Sequence, residues 1–241
     1  AFSINQLKHP APGYVAMNPL TAICFLLLGF ALIAKLRYKL ISWIQRVSFI
    51  FCMAVLVVAG WKLLAITMQS NYALDQLLFA QEVNTDVTSG FTNNMAPNTA
   101  VSFFLSACAM IFTGIRSRLA MFVSQISNVL LLLIAVFSIL GYVFGAKAFY
   151  EVQNFIPMAI HTAGCFFMLS LALFFAAPDL GIMRQFTSIY SGSFLAWRLL
   201  IPAFLLPVII GLFRLWGQRS GIYNLEFGSA LFVTSMILVF L

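Results

Sequence analysis

Long apolar runs constrain this chain more than any other feature. Segments such as "AICFLLLGFALIA" at 22–34 and "VLLLLIAVFSILGYVF" at 129–144 carry no charge at all. A helix rising about 1.5 Å per residue needs about 20 such residues to cross a roughly 30 Å hydrocarbon core. A transmembrane barrel would alternate polar and apolar residues over segments of about 10, and these runs are continuous. Composition agrees. At 63% hydrophobic and 8% charged, with a mean hydropathy of +1.02, the chain is too apolar for a soluble globule. It reads as an all-α integral membrane protein whose first partner is the lipid bilayer.

Hydropathy predicts seven spans, at 17–36, 41–67, 95–114, 118–145, 157–177, 196–216 and 226–241. The last is still apolar at Leu241, which predicts that the chain continues. Residues 1–16 form an outer segment that reads as lacking a cleavable signal, since Lys8, His9, Pro10 and Pro12 break the charged-then-apolar order. The loop charges orient the spans. Lys35, Arg37, Lys39, Arg46, Arg116, Arg118, Arg184 and Arg198 fall on one side with Asp179. Lys8, Lys62, Lys147, Arg214 and Arg219 fall on the other with Asp75, Glu82, Asp86, Glu151 and Glu226. The positive-inside rule then predicts an outer N-terminus and a cytoplasmic C-terminus. The net charge of +7 therefore reports topology, and no nucleic-acid partner is implied. Between spans two and three, residues 69–94 make the largest outer piece. There "NYALDQLLFAQEV" has helical apolar spacing that suits a surface helix, followed by a turn-rich "TSGFTNN".

Within this frame one motif is written three times: "MNPLTAICF" at 17–25, "MAPNTAVSF" at 95–103 and "MAIHTAGCF" at 158–166. Met, Thr-Ala and Phe recur at fixed offsets, and each copy opens an odd-numbered span at its outer end. Pro19 and Pro97 suit a first helical turn, where a missing N–H costs nothing; Ile160 replaces proline in the third copy. The bland reading is three alike helix hairpins, 17–67, 95–145 and 157–216, followed by a final output helix at 226–241. The sharper reading is that the three helix starts converge on an outer cavity walled by Thr21, Thr99 and Thr162, with Asn98 and His161 at the variable slot. Polar residues inside a membrane are expensive and default to functional hypotheses, although Asn98 and His161 also suit mutual hydrogen bonding.

The pattern M-x-P-x-T-A-x-x-F, the "APDLG" at 177–181, and "RLLIPAFLLPVIIGLFRLWGQRSGIYNLEFGSALF" at 198–232 together resemble a multi-pass N-terminal region of bacterial sensor histidine kinases and diguanylate cyclases, akin to the MASE domains. The resemblance runs from Met17 to Leu241 and is most specific at Arg198, Pro202, Pro207, Gly217, Gly221, Tyr223, Glu226 and Gly228. It implies a sensory input domain of a two-component or cyclic-nucleotide signalling protein in the bacterial cytoplasmic membrane. It also implies a homodimer, and an output module not contained in this sequence. Arg198, Arg214, Tyr223 and Glu226 are then candidates for signal relay; as a plain alternative, Arg214, Arg219, Tyr223 and Glu226 form a solvated loop whose surface ion pairs contribute little.

Other chemistries fit less well. No Ser-His-Asp set, HExxH motif or glycine-rich phosphate loop occurs, so the segment is read as non-enzymatic. Lys62 is expected to snorkel. His161 and Cys165 lie one turn apart, and Met17, Met95 and Met158 add soft thioethers, a set that would suit Cu(I) or haem. No cofactor is predicted, because Met and Cys in spans usually pack. The four cysteines show no CxxC spacing, and the 26 phenylalanines permit a small lipophilic ligand without requiring one. Ser124, Gln125 and Asn128 read as an interhelical polar patch. Besides the sensor, two alternatives stay open: an accessory subunit of a larger membrane complex, and a haem- or metal-binding membrane protein.

Overall fold

The structure, a computed structural model, describes residues 16–38, 41–68, 87–88, 91–113, 115, 117–145, 157–176 and 191–240. It divides into two compact units, Ala1–Gly181 and Ile182–Leu241. The first unit holds α1 (Pro19–Arg37), α2 (Ser42–Thr67), a two-residue antiparallel ladder of β1 (Val87–Thr88) and β2 (Phe91–Thr92), α3 (Pro97–Phe112), α4 (Arg118–Phe144) and α5 (Ile160–Ala176). The second holds α6 (Ser191–Arg219) and α7 (Leu225–Phe240). The expected surface helix near 74–80, the "APDLG" stretch and several of the loop charges lie outside the described residues.

Local chemistry accounts for the helix limits. Pro19 and Pro97 take the first helical position, where proline's fixed φ is already helical. Lys35 and Arg37 close α1, complementing its negative end. Gly145, at φ 69°, ends α4 in the left-handed region, which glycine enters without a Cβ clash. Three helices, α1, α2 and α4, are long and apolar enough to cross a membrane. The spans expected at 95–114 and 157–177 emerge shorter, as the 16-residue α3 and the 17-residue α5. Pro97 sets the start of α3 two residues late, and Thr113 turns extended at its end.

Side-chain size is sorted in the way a membrane demands. On α2 the buried stripe is Ser48, Cys52, Val55, Ala59 and Lys62, while Phe49, Ile50, Val57, Trp61 and Leu64 face outward. On α4 the buried stripe includes Ala120, Ser124, Ser127, Asn128 and Ala135, with Phe122, Ile126, Leu130 and Phe137 outside. Small and hydroxylic residues inside let backbones approach, and large apolar ones outside meet lipid. This chain is built as a membrane protein. Lys62 departs from the snorkelling expectation: at 8% exposure it sits inside the first unit.

Packing follows the chain, α1 on α2, α2 on α3, α3 on α4 and α4 on α5. In addition α1, α3 and α5 touch one another, so the three motif-bearing helices meet at the centre. Polar side chains stitch neighbours together. Ser48 Oγ donates to the Ala31 carbonyl at 2.9 Å, from α2 to α1. Ser124 Oγ does the same to Ala109 at 2.9 Å, from α4 to α3, and also meets the Thr113 hydroxyl at 2.8 Å. Ala31 and Ala109 stand at the same offset from the motif threonines. Between α4 and α5 the bonds are reciprocal: Asn128 Nδ2 donates to the Ser170 carbonyl (3.1 Å) and Ser170 Oγ to the Asn128 carbonyl (3.2 Å). The patch at Ser124 and Asn128 is thus interhelical. Lys35 Nζ reaches from α1 to the Met110 carbonyl in the last turn of α3.

In the second unit, α6 contains Pro202 and Pro207, each of which removes one backbone donor from the helix. Its end is a Schellman turn: Ile222 N donates to Gly217 O (3.0 Å) and Gly221 N to Gln218 O (3.2 Å), with Gly221 at φ 70°. The chain then turns directly into α7, which packs on α6.

Candidate functional site

The motif copies start α1, α3 and α5 in the same register. Thr21, Thr99 and Thr162 are each the third helical residue, and Phe25, Phe103 and Phe166 follow one turn later. The threonines are 2%, 3% and 2% exposed, and all three line one cavity. The centre of a water molecule can range over about 10 Å³ there, room for about one water. The three phenylalanine rings sit one turn deeper, where they meet each other with centroids 4.8, 4.6 and 4.8 Å apart in tilted and edge-on contacts. Such pairs add about 0.5–1.5 kcal/mol each beyond burial. Phe103 and Phe166 are wholly buried.

The rim of the cavity is polar. Asn18 caps α1, its Oδ1 accepting from Leu20 N at 2.8 Å. Its Nδ2 donates to the Asn93 carbonyl at 2.6 Å, tying the start of α1 to the segment before α3. Asn93 lines the cavity at 2% exposure, and its Nδ2 has no hydrogen-bond partner among the described residues. Met17 and Met95 also line it. Neither asparagine was singled out from sequence. Asn18 carries a readable signal, an Asn-Pro step at a helix start, whereas Asn93 sits in a turn-rich stretch with no periodicity.

Three of the five residues predicted for the pocket are therefore brought together there. Asn98 and His161, one position earlier in their helices, are part-exposed and do not line the cavity. One residue along a helix rotates a side chain by about 100°, so the slots before and at the threonine point to different sides. Leu20, in the same slot of the first copy, is 5% exposed and belongs to the core. Cys165 is exposed, and among the described residues no group of three or more His, Cys, Asp or Glu side chains could hold a metal ion.

The predicted relay residues cluster only in part. Tyr223 Oη donates toward the Arg214 carbonyl (3.0 Å) and the Phe213 carbonyl (3.3 Å) at the end of α6. Its ring occupies a seat left by two glycines: a Cβ at Gly217 would lie 2.5 Å from the Tyr223 hydroxyl, and one at Gly228 would lie 2.8 Å from the ring. Arg214 Nη2 donates to Ser229 Oγ at 2.7 Å, crossing from α6 to α7. Glu226 is exposed in the first turn of α7, where a carboxylate complements the helix dipole. Arg198 is exposed on α6, far along the helix from this clasp. Comparison with known protein families, with curated proteins and with solved structures finds no match to this chain.

Proposed function

We propose that this chain is the membrane-embedded input domain of a bacterial signalling protein. In this reading it crosses the cytoplasmic membrane seven times, as three hairpins and a final helix, with its N-terminus outside. A stimulus at the outer end of α1, α3 and α5 biases the position of α7, which passes the change to a cytoplasmic kinase or cyclase module in a homodimer. Such relays need an element with two arrangements whose balance the stimulus shifts. The observation that carries the reading is the convergence of a thrice-written motif on one small cavity. The paired Ser48–Ala31 and Ser124–Ala109 bonds support the hairpin repeat. The Tyr223 clasp supports rigid coupling of α6 to α7. The experiment measures output of the full-length protein in cells, as phosphotransfer or cyclic dinucleotide level, for Thr99→Val and Thr162→Val. Altered output at unchanged membrane abundance is expected; lowered abundance with unchanged output per molecule would reduce both residues to packing.

A further inference from the structure

We infer that the cavity at the starts of α1, α3 and α5 is a binding site for one small monatomic anion of the size of chloride. The inference stands independently of the sensory reading, because it rests on what lines the cavity and not on what the occupant would signal.

Donors dominate this site. The first amides bonded within the three helices are Ala22, Ala100 and Ala163, which donate to Asn18, Ala96 and Ala159. The amides of Thr21, Thr99 and Thr162 precede them and so fall outside the helical ladder. Of the first-turn amides, Leu20 N is taken by the Asn18 side chain, while α3 has no side-chain cap. Each helix start carries roughly half a positive charge, and three of them face one space. The described residues of the first unit include no acidic side chain to offset it. No acidic residue occupies the first turn of α1, α3 or α5, and none lines the cavity.

A second, independent observation points the same way. Asn93 is 98% buried at the cavity, and its amide nitrogen is unpartnered among the described residues; a buried unpaired donor costs free energy that an anion at this spot would recover. Two of the acceptors at the rim are engaged, the Asn93 carbonyl by Asn18 and Asn18 Oδ1 by Leu20 N. Volume sets the class of ligand. Room for about one water matches a halide in size. One turn deeper, the packed rings of Phe25, Phe103 and Phe166 lower the local dielectric, which strengthens each donor contact.

The test uses the full chain purified in detergent, with chloride titrated against gluconate at constant ionic strength. The thermal midpoint is expected to rise saturably with chloride, because a ligand that binds only the folded state stabilises it by mass action. Thr99→Val should weaken the apparent affinity about tenfold or more, the worth of a hydrogen bond to a charged group, while Thr99→Ser, which keeps the hydroxyl, should retain it. Crystals soaked in bromide should show anomalous density among the three threonines. A midpoint indifferent to chloride, equal responses of the valine variant and the parent, or an ordered water with no bromide signal would each overturn the inference. Because the readout is binding to purified protein, it succeeds or fails separately from the signalling output.

Discussion

Phe103 shows how much one side chain contributes here. It is wholly buried and touches both Phe25 and Phe166, so Phe103→Ala is expected to cost about 3–5 kcal/mol through lost burial and a residual cavity. Phe104, its 38%-exposed neighbour, provides the control. Thermal unfolding of both variants should separate them widely, and equal losses would mean that the aromatic triad is not a packing centre. Gly217 is the opposite case, a residue important for what it lacks. Its missing Cβ leaves the space that the Tyr223 hydroxyl fills. Gly217→Ala should therefore expel the ring and break the bonds to the Arg214 and Phe213 carbonyls. In a double-mutant cycle with Tyr223→Ala the two losses should overlap by about 1 kcal/mol or more, since contacting residues are not additive. Independent, additive effects would remove the clasp from the account of coupling.

The behaviour of α3 follows from its length. Sixteen residues span about 24 Å at 1.5 Å per residue, and the last carbonyls of such a helix have no partner within it. At the C-terminal end side chains supply the partners: Lys35 donates to the Met110 carbonyl, and Ser124 and the capping Thr113 donate to that of Ala109. Lys35→Met is thus expected to destabilise the protein by about 1–2 kcal/mol, combining a lost cap with a lost cation at a helix C-terminus. A chemical or thermal unfolding midpoint unchanged from the parent would show that the carbonyl finds another donor. Asn128 and Ser170 join α4 to α5 in the same way. Polar contacts between membrane helices average about 0.6 kcal/mol, so Asn128→Ala should cost less than Lys35→Met.

Orientation is a property of the full set of loops. With the basic excess on one side, a cysteine introduced at Asn84 should label from outside in intact cells and one at Ser117 should not. Labelling of position 117 by an impermeant reagent would reverse the proposed topology. Much of the architecture was legible beforehand. Apolar runs marked the helices, Pro19 and Pro97 marked two of their starts, and the repeated threonines anticipated that one cavity would gather Thr21, Thr99 and Thr162. The shared motif points Asn98 and His161 to the same pocket, but neither lines it, because a helix presents successive residues on different sides. The predicted lengths of α3 and α5 were too generous, since hydropathy stays high past the points where Pro97 and Thr113 set the limits of hydrogen bonding.

Membrane class, helix number in outline and the register of the motif are local properties. They depend on hydrophobic length, proline at a first turn and a fixed offset along one helix, all of which a single chain segment carries within itself. The Asn18–Asn93 bridge, Lys35 reaching Met110, the glycine seat of Tyr223 and the one-water size of the cavity are not local. Residues 75 positions apart form the first two contacts, and no periodicity encodes which donor meets which carbonyl across helices. Those choices follow from how closely small side chains let the backbones approach, and that distance exists only once the helices have packed.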